Sequence, residues 1–162
     1  MSSDFLKVPK SLRSVVLWVH PEGRVFGSLY LHTQSKEHAG EEDPFELLNE
    51  DQPFLIVRRD DPEELRFYNR AAIVRLEYRQ APVELTEVRP FPCRLHLMDG
   101  SVLTGMVNES LPPDRSRLVD YLNQRDVRFL RLQIDDDHIC LVNKSYIIHA
   151  ADLGDGDDPN DA

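Results

Sequence analysis

Apolar and polar residues alternate along this chain with two different periods, and the order in which those periods occur repeats once. Val15 to Val19 (VVLWV) and Arg94 to Met98 (RLHLM) both read as short strands. Each is closed by an acidic residue and a glycine, Glu22-Gly23 or Asp99-Gly100, and each passes at once into a second β-rich run. That sequence of events predicts a tight hairpin, with Gly23 and Gly100 supplying the positive φ of its turn. Gly27 and Gly105 fall inside the second strand, where glycine costs stability unless a bulge or sharp bend requires it.

The period then lengthens to that of a helix. Asp43, Pro44 and Glu46 stand at the spacing of a capping box with proline at the first helical position, and Phe45, Leu47 and Leu48 are available to pack inward. In the second copy "PPDRSRLVDYLNQRD" offers Asp114 or Ser116 as cap and Leu118, Val119 and Leu122 as the apolar face. Asn49 and Asn123 suit the C-terminal ends, where asparagine tolerates a left-handed conformation. Three β-like runs follow each helix: Pro53 to Arg59, Leu65 to Tyr68 and Ala72 to Tyr78, then Val127 to Ile134, His138 to Val142 and Tyr146 to Ala150.

Superposing the two patterns matches Glu22-Gly23 with Asp99-Gly100, Val25 with Val102, Gly27 with Gly105, Leu48-Asn49 with Leu122-Asn123, Phe54-Leu55 with Phe129-Leu130 and Ile73 with Ile147. The most conspicuous match is Asn69-Arg70 with Asn143-Lys144, between the last two runs. There one tight turn reverses the chain, asparagine bonds its own backbone and the cation points to solvent. The expected organisation is an N-terminal extension (1–13), a first repeat (14–79), a proline-bearing connector (80–91), a second repeat (92–153) and a disordered acidic tail (154–162). The expected fold class is mostly β (α+β), a tandem duplication of a five-stranded, partly open small β-barrel unit with a short helix inserted between strands 2 and 3.

Composition narrows the functional classes. Among 162 residues, 41% are hydrophobic, enough for a packed core, and no run is long enough for a signal peptide or a membrane span, so a cytoplasmic location is expected. The net charge is −10, and five of the aspartates lie in 151–162. Two cysteines, Cys93 and Cys140, sit in strand-like runs and are read as buried thiols rather than a disulfide framework. His20, His32, His38, His96, His138 and His149 are scattered, with no C-x-x-C, H-x-x-H or nucleophile-elbow pattern among them, so no catalytic, cofactor or metal residue is assigned. The acidic run Asp135 to Asp137 is read as a polar hairpin tip.

A hairpin, a third strand, and a fourth and fifth separated by one turn resemble the small five-stranded barrels of the SH3-like and Sm-like kind. "FYNRAAIVRL" and "LVNKSYIIHA" look like the second Sm signature. The chain departs from that signature in carrying its helix between strands and in following the cation with Ala71 or Ser145. The "DYLN…FLRL…LVNK…I" pattern is also similar to a family of uncharacterised bacterial proteins. What the Sm-like resemblance implies is RNA binding at Asn69, Arg70, Asn143 and Lys144, which the negative charge of both copies opposes. Arg115 and Arg117 are candidates for a nucleotide second messenger. The remaining expectation is a non-catalytic protein-interaction or regulatory adaptor, partnered by another protein or by self-association, with nucleic acid disfavoured and no membrane involved.

Overall fold

A computed structural model describes residues 10–81, 90–108 and 117–154. The connector core (82–89), the tail from 155, and Asp114, Arg115 and Ser116 lie outside those residues. The chain divides into two compact units, Met1–Tyr78 and Arg79–Ala162. Both are mostly β, with antiparallel strand pairing.

In the N-terminal unit, β1 (Lys10–Val19) and β2 (Gly23–His32) form a hairpin of two ten-residue strands, followed by α1 (Pro44–Leu48), β3 (Phe54–Asp60), β4 (Glu63–Asn69), a single 3-10 turn (Arg70–Ala72) and β5 (Ile73–Arg79). The strands lie in the order β5-β1-β2-β3-β4. In the C-terminal unit, β6 (Phe91–Leu97), β7 (Val102–Val107), α2 (Leu118–Leu122), β8 (Phe129–Asp135), β9 (His138–Asn143), a second 3-10 turn (Lys144–Tyr146) and β10 (Ile147–Asp152) follow in the same sequence. Their order, β10-β6-β7-β8-β9, is the same one.

Correspondence extends to single hydrogen bonds. The amide of His20 donates to Ala72 O at 2.9 Å, and that of Met98 donates to Tyr146 O at 2.8 Å. One extra residue bulges the last strand at the same place in each unit, between the partners of Trp18 and Val19 in β5 and between Ile147 and His149 in β10. The two strand glycines share one cause. A Cβ on Gly27 would stand 2.6 Å from Arg58 O, and one on Gly105 would stand 2.5 Å from Gln133 O, so the third strand crosses the second too closely for any side chain.

The core explains the alternation. Leu17, Leu29, Leu31, Leu55, Val57 and Leu76 point inward in the first unit, and Cys93, Leu95, Leu97, Leu130 and Leu132 do so in the second. Each such side chain contributes about 2 kcal/mol through the area it removes from water. Cys93 and Cys140 are both buried free thiols, and burial pushes the Cys93 thiol up to about 11.

Several expectations are corrected. β1 begins at Lys10, five residues earlier than the apolar run. The match of Val25 to Val102 slips by one: Leu17 pairs with Val25 and Leu95 with Leu103, so Val25 is buried while Val102 is exposed. A single-residue shift in a strand exchanges its faces. In α2 it is Tyr121, not Val119, that joins Leu118 in the core. Asn49 and Asn123 end their helices at φ −95° and −89°, not in the left-handed region; the Asn49 side chain instead donates to Phe45 O at 3.0 Å. Gly23 and Gly100 do carry the positive φ, 92° and 89°.

Candidate functional site

The Asn-cation corners are built from the inside. Asn69 Oδ1 accepts from the Ala71 amide at 2.9 Å and Asn143 Oδ1 from Ser145 at 3.0 Å, each capping its 3-10 turn as a side-chain-to-backbone bond should. The cations that follow turn back onto the protein instead of pointing freely to solvent, Arg70 fully buried and Lys144 partly so, which overturns the expected placement. Arg70 is 1% exposed, and its guanidinium donates to Leu47 O at 2.9 Å, Phe54 O at 2.7 Å and Gln52 O. Lys144 Nζ donates to Tyr121 O at 3.1 Å and Gln124 O at 2.9 Å. Each cation therefore closes the C-terminal end of the preceding helix, where carbonyls lack intrahelical partners and the dipole is negative. Burial brings the Lys144 ammonium down to about 8. Arg117 is exposed, and its amide and Nε both meet Asp120 Oδ2 at 3.2 Å across the start of α2.

What the first unit offers to solvent lies beside this corner. A half-open cleft of about 630 Å³ is bounded by Lys10, Tyr30, Glu42, Glu50, Phe54 and Ile56, with Arg70 in its floor. Glu42 is buried and accepts from the His32 amide at 3.1 Å, with the His32 imidazole Nδ1 at 2.9 Å. Burial, and then the charge of Glu42, hold the Glu50 carboxyl above the usual carboxylate range. Its lining is acidic on balance, five carboxylates against Lys10, Lys36 and Arg70, with an apolar wall.

That wall continues onto the outer face of the β3–β4 hairpin. Ile56 lies opposite Phe67 and Arg58 opposite Leu65. Phe54, Leu65 and Phe67 are 53%, 43% and 63% exposed, whereas the residues at the same register positions of β8–β9, Phe129, Ile139 and Leu141, are 0%, 7% and 0% exposed. Surface residues of this size in one contiguous group mark interaction surfaces.

Among the described residues, His38, Asp43 and Glu46 bring three possible metal-binding atoms within 4.8 Å of one another. The α1 cap already accounts for that closeness. Glu46 N donates to Asp43 Oδ1 at 2.9 Å, Asp43 N to Glu46 Oε1 at 3.3 Å and Ser35 Oγ to Glu46 Oε2 at 2.7 Å, while His38 Nε2 pairs with Glu46 Oε1. Burial pushes the Glu46 carboxyl up, but these hydrogen bonds outweigh it and leave it below the ordinary range. The Ala39 carbonyl and then Glu46 raise His38.

Sequence reasoning singled out the corners and missed the cleft and the face. The available signal was "FLIV" in β3, where apolar residues occupy both faces of a strand that a single core would leave polar on one side. No helix among the described residues is long and apolar enough to cross a membrane. No family model, curated protein or solved structure matches the chain.

Proposed function

We propose that this chain is a non-catalytic protein-interaction module, an adaptor formed by tandem duplication of a small Sm-like or SH3-like β unit in which the first copy carries the docking surface. The shared strand order, the paired bulges and the paired close-approach glycines support the duplication. The observation that carries the function is the uncovered Phe54–Leu65–Phe67 face beside an acid-lined cleft, at positions that are buried in the second unit. A partner presenting apolar side chains next to a lysine or arginine fits that surface in both shape class and charge.

The RNA-binding alternative draws less support. Arg70 and Lys144, the cations that the Sm-like reading would use, spend their donors on main-chain carbonyls. Phosphate contacts need donors that face outward.

A photo-crosslinking residue at position 67 in tagged full-length protein tests the reading. The expected result is a nuclease-resistant adduct to one protein of different mass, absent when the probe is moved to Met98, which is equally exposed on the other unit. Failure to capture protein, together with low-salt binding of labelled RNA that disappears in Arg70→Ala or Lys144→Ala, would transfer the function to nucleic acid.

A further inference from the structure

β4 ends the sheet of the first unit: among the described residues its only strand partner is β3. Proteins usually blunt such an edge with proline, a bulge or an inward-pointing lysine. β4 has none of these along Glu63–Asn69, its charges being Glu63, Glu64 and Arg66, the last also paired with Glu22 Oε1 at 3.1 Å, and its seven-residue ladder with β3 runs without a register shift. An unbroken edge next to exposed Leu65 and Phe67 is a template for another strand.

From the charges along that edge we infer that the added strand is β4 of a second copy, paired antiparallel about a twofold axis at Leu65. This deepens the proposed interaction function, since it names the occupant of one edge of the same surface. A twofold axis perpendicular to a sheet keeps side chains on their own face, so the ladder must be centred on a residue rather than between two. Centring on Leu65 sets Glu64 opposite Arg66 of the partner and Arg66 opposite Glu64, two opposite-charge pairs, with Leu65 against Leu65 between them. Centring on Arg66 would set two guanidinium groups against each other. The pairing already has a counterpart within one copy, where Arg66 Nε donates to Glu64 Oε1 at 2.9 Å. The dimer also joins two exposed apolar faces into one stripe, Phe67–Leu65–Leu65–Phe67, which stays on the sheet surface and remains available to a different protein.

Leu65→Cys provides the register test, because residues directly opposite across an antiparallel pair have Cα atoms about 4.5–5.5 Å apart, within disulfide reach. The two natural thiols are buried and do not compete. Under mild oxidation of the purified full chain, Leu65→Cys is expected to form a disulfide-linked dimer, whereas Arg66→Cys and Met98→Cys form no covalent dimer. Glu64→Arg is expected to shift the wild-type dimer to monomer in sedimentation, and Glu64→Arg with Arg66→Glu to restore it. A chain that is monomeric at high concentration, or a dimer indifferent to Glu64→Arg, would overturn the inference. If position 67 still crosslinks a foreign protein in a monomeric chain, only the self-pairing fails and the adaptor reading stands; if the dimer forms and no foreign protein is captured, the reverse holds.

Discussion

The outer face of β3–β4 and the outer face of β8–β9 occupy matching register positions in the two units and differ in exposure. Register places Phe54 with Phe129, Leu65 with Ile139 and Phe67 with Leu141, yet the first set is open to water and the second is closed. Residue chemistry does not account for the difference: both faces carry large apolar side chains, and the buried one is the more polar, with Arg131 and Gln133 where β3 has Ile56 and Arg58. The same register positions can thus be covered in one β unit and left open in the other, and the proposed partner is what would cover the open one. A second contrast sits on the bulged strands. In the first unit Arg75 stacks 3.9 Å from the Trp18 ring centre; at the same register in the second, His149 stacks on His96 at 4.2 Å. The same strand order thus carries a cation on an aromatic ring in one unit and a stacked histidine pair in the other.

Truncation should break the first contrast most visibly. Leu141→Ala is expected to cost about 3 kcal/mol in urea-unfolding experiments, in the range for buried leucines, and Phe67→Ala less than about 0.5 kcal/mol. Equal costs would mean that the two faces are not differently covered.

Next come the close-approach glycines. Gly27→Ala and Gly105→Ala each force a methyl group into a main-chain oxygen and are expected to cost about 3 kcal/mol, by similar amounts in the two units. A large asymmetry would show that the second-to-third-strand crossing is not shared.

The corner cations sharpen the comparison further. Arg70 serves three carbonyls and Lys144 two, so Arg70→Met should cost about 3 kcal/mol and Lys144→Met about 2 kcal/mol. Two-dimensional NMR of the lysine side chains should place the Lys144 titration near 8.

The smallest effect concerns the histidine pair. Burial, and then the charges of His149 and Arg94, hold His96 below its ordinary value. A depressed histidine leaves the unfolded chain binding more protons than the folded one just below that value, so stability from this group falls as pH drops through that window. Replacing the pair by its first-unit counterpart, His96→Trp with His149→Arg, is expected to flatten this part of the pH profile of unfolding; an unchanged profile would assign the dependence to other groups.

Much of this architecture was legible from local signals. The hairpin glycines, the Asp43–Glu46 capping box and the matched Asn-cation turns are short-range chemistry, and each occurs where the sequence pattern placed it. The direction of Arg70 and Lys144 was not legible, because it depends on where a helix deposits its last carbonyls, 23 residues upstream in both units. The one-residue slip at Val102 was hidden for a related reason: sequence similarity favours matching valine to valine, and only the hydrogen-bonded register reveals which face each occupies. The exposed apolar face was present in "FLIV" and "FYN", but apolar residues on both sides of a strand do not say which of them the fold leaves open.

Hydroxyl-radical footprinting of Phe54 and Phe129 in the intact chain tests the central claim most directly, because the two residues share side chain, intrinsic reactivity and register position. Rapid oxidation of Phe54 with protection of Phe129 is the predicted result. Equal oxidation rates at the two phenylalanines would contradict it.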